Sequence, residues 1–112
     1  MTNLKKTILI DLDGVLNTYS GKYDENYIPP IREGAYNFVK ELSQNFKIIL
    51  FTSRNLLLAS KWIIKNNLET YVDNVTNVKE PCYLIIDDRC INFNGNYNKL
   101  MEEITTFNVW YK

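Results

Sequence analysis

Thr7-Ile8-Leu9-Ile10-Asp11-Leu12-Asp13-Gly14-Val15-Leu16-Asn17 decides how this chain is read. Four β-prone, mostly apolar residues lead directly into two carboxylates at i and i+2, and then into a glycine. The run reads as a buried strand ending in a charged tip. Side chains of extended backbone alternate between faces, so Asp11 and Asp13 can project to one side at the strand's carboxyl end, where open α/β sheets bind ligands. Like charges that close call for a cation. The competing reading is a plain strand-to-turn boundary, where Asp and Gly are common for conformational reasons.

Outward from this stretch the apolar pattern switches repeatedly between strand-like and helix-like periods, which predicts a parallel sheet flanked by helices. Gly14 to Pro30 is polar and too long for a simple connector, so residues 14–30 read as a flap beside the carboxylates. Its Tyr19, Tyr23 and Tyr27 either touch substrate or pack the loop down. Pro30 suits a first helical turn, with Ile31, Ala35, Phe38, Val39, Leu42 and Phe46 forming one stripe. Lys47 to Thr52 reads as a second buried strand. It ends in Thr52-Ser53-Arg54, three residues able to donate hydrogen bonds to phosphate oxygens. Leu56 to Ile64 gives a second helix, and Tyr71 to Val75 a short third strand. Pro81 places a turn after Lys79-Glu80. Tyr83 to Ile86 then repeats the opening pattern, running into Asp87-Asp88-Arg89. Cys90 to Phe93 marks a short fifth strand. Tyr97, Leu100, Met101, Ile104 and Phe107 mark a last helix, with Val109, Trp110 and Tyr111 packing behind it.

The 112 residues, 46% hydrophobic and 23% charged, suit one soluble domain over residues 1–112. Thirteen basic and thirteen acidic residues leave no net field to draw in nucleic acid or an anionic membrane surface. With no histidine, and Cys82 and Cys90 as the only cysteines, a zinc site is not expected. Two buried, reduced thiols fit a cytoplasmic protein. The opening Met1 to Lys6 is basic, but the apolar run after it is too short for a signal peptide or a membrane span. No Gly-x-x-x-x-Gly-Lys segment exists, which disfavours a P-loop nucleotide binder.

Taken in order, Asp-x-Asp, Thr, Lys and Asp-Asp supply a nucleophile, an acid/base, hydroxyl and ammonium donors and metal ligands, a set that suits phosphoryl transfer. On these residues the chain resembles the haloacid dehalogenase-like (HAD) superfamily. Asp11-Leu12-Asp13-Gly14-Val15 looks like its first motif, Thr52 its second, Lys79 its third and Asp87-Asp88 its fourth, across nearly the whole chain. The resemblance implies a three-layer Rossmann-like α/β fold with a mainly parallel five-stranded sheet and no cap domain. It implies that Asp11 attacks phosphorus to form an aspartyl-phosphate, that Asp13 is the general acid and base, and that Thr52 and Lys79 hold the phosphoryl group. It also implies Mg²⁺ held by Asp11, the backbone carbonyl of Asp13, and Asp87 or Asp88; which of those two is the direct ligand stays open. Ser53 and Arg54 are candidate substrate contacts. For Arg54 and Arg89, guanidinium geometry suits phosphate, and a surface salt bridge is the equal alternative.

Asp13 discriminates within the superfamily. Members that cleave carbon–halogen or carbon–phosphorus bonds lack the second aspartate, and ATP-driven pumps carry a threonine there, so its presence implies a phosphatase. Neither the 14–30 flap nor residues 53–79 leave room for a cap. Capless relatives often act on large substrates or borrow a neighbouring subunit as a lid, which would make this chain a homo-oligomer. With zero net charge the expected substrate is a small phosphomonoester such as a sugar phosphate or nucleotide. A nucleic-acid 3′-phosphate ranks behind it, although the Thr52-Ser53-Arg54 and Asp87-Asp88-Arg89 segments look similar to the phosphatase part of polynucleotide kinases. A non-catalytic regulatory or interaction module on the same fold is the alternative from another class. A response-regulator receiver fits poorly, because its phosphorylated aspartate sits on a third strand, where this chain offers only Asp73.

Overall fold

Strand β1 (Lys6–Ile10) lies inside a four-stranded parallel sheet with β2 (Phe46–Phe51), β3 (Asn74–Thr76) and β4 (Leu84–Ile86), ordered β3-β2-β1-β4. Helices α1 (Ala35–Leu42), α2 (Leu56–Lys65) and α3 (Tyr97–Thr106) complete the elements. The computed structural model of the chain describes residues 4–111. Met1 to Asn3, part of the basic opening segment, and Lys112 lie outside the described residues.

Alternation makes the two central strands double-sided. Ile10, Ile48 and Leu50 join one buried cluster with Ala35 and Val39 of α1 and Ala59, Trp62 and Ile63 of α2. Leu9 and Ile49 pair in register on the opposite face and are buried as well. This is why both strands read as continuous apolar runs. The chain moves outward from β1 to β2 to β3 and then returns to the other side of β1 for β4. The strand order therefore reverses between β1 and β4, the point at which open sheets of this kind form their crevice.

The α/β parallel architecture agrees with the sequence reading, and the count does not: the sheet has four strands, not five. Cys90 to Phe93 forms no strand among the described residues. The third strand falls at Asn74–Thr76, later than Tyr71 to Val75. Helix α1 begins at Ala35, after Gly34 in a left-handed conformation, so Pro30 sits in the flap instead of a first helical turn. Phe38, Leu57 and Ile64 are exposed, because apolar composition alone does not say which side of a helix meets the sheet. Helix α3 buries none of its residues. Cys82 is half-buried and Cys90 exposed, both as free thiols, where burial was expected. Among the described residues no helix is long and apolar enough to cross a membrane.

The flap is closed at its neck. Thr18 N–H donates to Pro30 O (2.9 Å) and Arg32 N–H to Leu16 O (2.8 Å), while Asp24 and Tyr27 form a turn at the tip. Trp62 Nε1 donates to Pro29 O (3.0 Å), tying the flap's base to α2.

Candidate active site

Register brings most of the sequence-predicted residues together. Ile10 pairs with Ile86, so Asp11 and Asp87 leave adjacent strands side by side, and Asp11 N–H extends the ladder by donating to Ile86 O (2.8 Å). On the other side, Phe51 pairs with Thr76 and Thr52 N–H donates to Thr76 O (3.0 Å), which sets Asn77 beside Thr52. These tips open into a cavity of about 340 Å³. Its polar wall comprises Asp11, Asp13, Thr52, Ser53, Asn77, Asp87, Asp88 and Arg89; Tyr19, Tyr23 and Phe51 supply aromatic surface.

Carboxylate oxygens of Asp11, Asp87 and Asp88 all lie within 4.8 Å of one another. Crowding of this kind in a partly dry site favours protonation. Asp11 is pushed up to about 8, chiefly by burial, then by repulsion from Asp87 and a proton-sharing contact with Asp88. Burial likewise raises Asp87. Oδ2 of Asp88 is buried without a hydrogen-bond partner. A hard divalent cation ligated by oxygen would answer both features, so the donor set fits such an ion in chemistry and in charge.

Asp13 stands apart from that trio and is held by both oxygens. Asn17 Nδ2 donates to Oδ1 (2.9 Å) and Arg54 Nε to Oδ2 (2.8 Å). Asn17 is itself buried, and its Oδ1 accepts from the N–H groups of Gly14 (3.1 Å) and Tyr19 (3.0 Å). The loop carrying Asp13 is thus built around one amide side chain. Gly14 has φ +81, and a Cβ there would collide with the Asp88 carboxylate and come within 2.9 Å of the Tyr111 ring. Only glycine permits both the backbone and the approach. Trp110 Nε1 donates to Gly14 O (2.9 Å), closing a contact between the two ends of the described chain.

Thr52 is buried, and its hydroxyl oxygen accepts from Arg54 N–H (3.1 Å), leaving the O–H free to donate into the cavity. Ser53 is exposed on the cavity wall. Lys79 is exposed and does not line the cavity; Asn77, two residues earlier, does. Arg54 does not line it either. It is 1% exposed, with Nη1 donating to Asp24 O (2.9 Å) and Tyr27 O (3.0 Å) in the flap, so it ties Asp13 to the flap. Asn17, Phe51 and Asn77 carry no sequence signal of their own. Asn77 becomes visible only once β2 and β3 are paired in register.

Compared with known proteins, residues 6–108 match the family described as NLI interacting factor-like phosphatase. A solved structure, that of a conserved protein coded by a locus of Bacteroides thetaiotaomicron, superposes with a TM-score of 0.62 at 20% identity, covering 91% of each chain. At that identity the likeness is one of fold. No curated protein matches the chain.

Proposed function

The chain belongs to the NLI interacting factor-like phosphatase family, a family of HAD-like phosphatases, and on that premise we propose that it is a Mg²⁺-dependent phosphomonoesterase working through an aspartyl-phosphate on Asp11. One observation carries the reading: at the strand-order reversal Asp11, Asp87 and Asp88 crowd together, with Asp88 Oδ2 buried and unpartnered, in the same cavity as Thr52 and a doubly anchored Asp13.

Asp11, Asp87, Asp88 and the backbone carbonyl of Asp13 would hold the metal. When bound, Mg²⁺ would supply positive charge against the carboxylates and the incoming phosphate. Asp11, ionised once the proton it shares with Asp88 is displaced, attacks phosphorus as the bond to the leaving oxygen breaks. Asp13 gives that oxygen a proton. In the second half Asp13 takes a proton from water as the water oxygen attacks phosphorus, releasing inorganic phosphate and the Asp11 carboxylate. Thr52 donates its free O–H to the phosphoryl group. Lys79 joins it by swinging its long, flexible side chain in from outside the cavity wall. The substrate class is a small phosphorylated metabolite, since charge balance offers nothing to hold a polyanion. Two free thiols suit a reducing cytoplasmic setting.

Phosphate release from a panel of phosphomonoesters tests the reading. Turnover should need Mg²⁺ and vanish in Asp11→Asn, and Asp13→Asn should leave phosphoenzyme trapped. Full activity in Asp11→Asn would remove it as nucleophile. No turnover on any ester, with Mg²⁺ present, would favour a non-catalytic module.

A further inference from the structure

A second cavity, of about 460 Å³, adjoins the catalytic one and shares Tyr23 and Ser53 with it. Its remaining wall comes from the flap tip, Glu25 and Asn26, and from the start of α2, Asn55, Leu57, Leu58 and Lys61. None of the catalytic groups lines it, so its volume is available to the part of a substrate that is not phosphate.

Its position relative to Asp13 decides which part that is. The acid that protonates a leaving oxygen must stand on the leaving-group side of phosphorus, with the metal carboxylates elsewhere. Arg54 joins Asp13 to this side of the site: Nε holds Asp13, Nη1 holds the carbonyls of Asp24 and Tyr27, and the guanidinium lies 4.7 Å from the centre of the Tyr23 ring. One face of Tyr23 is thereby covered by a buried, fixed cation, while the ring remains 56% exposed between the two cavities. With the guanidinium against one face, the exposed ring surface is available for stacking. Beside it stand amides at Asn26 and Asn55 and opposite charges at Glu25 and Lys61, all able to meet the donors and acceptors on a base edge.

Building on the phosphatase reading, we propose that the second cavity is a leaving-group subsite for a nucleoside, with the base stacked on Tyr23 and the phosphate at Asp11. The substrate class is a nucleoside monophosphate. Its phosphate ester bond breaks as described above, and the nucleoside leaves with the proton from Asp13.

Calorimetry on Asp11→Asn protein with Mg²⁺ measures binding without turnover, using uridine and adenosine 5′-monophosphates, glucose 6-phosphate and β-glycerophosphate as probes. The nucleotides should bind at least about tenfold more tightly than the other two, the usual scale of one base stacked on an aromatic side chain. Adding Tyr23→Leu should erase that advantage, and adding Tyr23→Trp should restore it. Equal affinity for all four probes, no binding, or an advantage that survives Tyr23→Leu overturns the proposal. Tighter binding of glucose 6-phosphate overturns it in favour of a sugar. Nucleotide binding that follows this pattern in a wild-type protein without turnover would uphold the subsite while rejecting the hydrolase.

Discussion

Arg54 Nε donates a 2.8 Å hydrogen bond to Asp13 Oδ2 from a side chain with essentially no exposure, and the same guanidinium holds the flap carbonyls of Asp24 and Tyr27. Asp13 and the flap therefore share one anchor. Substituting Arg54 by Met removes the charge paired with Asp13 and orphans two carbonyls. The expected cost is about 3–5 kcal/mol, as for other broken buried pairs. Arg54→Lys should recover only part, because an ammonium cannot reproduce the fork. Urea unfolding of the three proteins measures this; a loss under about 1 kcal/mol in Arg54→Met would show the pair to be structurally idle.

Metal removal should make stability depend on pH in an unusual direction. The native state holds the Asp11 proton up to about 8, whereas an unfolded aspartate releases it near 3.8. Between those values the native state binds more protons, so stability should fall as pH rises from about 4 to about 8 in EDTA. Mg²⁺ should reverse the trend by binding the ionised form and expelling the proton. Melting temperatures across this range, with and without Mg²⁺, give both slopes. A flat EDTA profile would remove the carboxylate crowding.

Asp11→Asn should consequently do two opposite things. It should eliminate phosphate release, and in EDTA at pH 8 it should melt above the wild-type protein, because one of three crowded carboxylates is gone. The same substitution should lower Mg²⁺ affinity, read by titration calorimetry. Reduced stability in EDTA at pH 8 would contradict the repulsion inferred among Asp11, Asp87 and Asp88.

Behind the first loop, Trp110→Phe keeps an aromatic ring but leaves the Gly14 carbonyl without its donor, at an expected cost of about 1 kcal/mol. Gly14→Ala should be worse on two counts, the positive φ and the collision with Asp88 and Tyr111, and should also weaken Mg²⁺ binding. If Gly14→Ala binds Mg²⁺ like wild type, Asp88 does not need that close approach.

Lys79 and Asn77 separate two ways of holding phosphate. Lys79→Met should lower kcat/KM by about 100-fold if the side chain swings inward, in line with the loss of one charge-stabilising donor. Asn77→Ala, which lines the cavity already, should show a smaller, KM-weighted effect. The reverse ranking would assign the phosphoryl contact to Asn77.

The acidic strand tips, the hydroxyl at Thr52 and the alternation of apolar periods were all legible along the chain, because burial and period are local properties of sequence. So was the parallel α/β architecture that follows from them. Asn77 and Arg54 show what was not. Asn77 reaches the cavity only because β2 and β3 pair with Phe51 against Thr76. Arg54 reads from sequence equally as a phosphate contact or as half of a surface salt bridge, and the fold makes it half of a buried ion pair because Asp13, Asp24 and Tyr27 converge on it from residues far away in sequence. The missing fifth strand and the unburied α3 belong to the same category, since short apolar runs and helical stripes acquire a partner or fail to acquire one only in space. Composition and period set which elements could form and which groups could react. Register and burial, which depend on pairing between distant segments, decided which of those groups face one another.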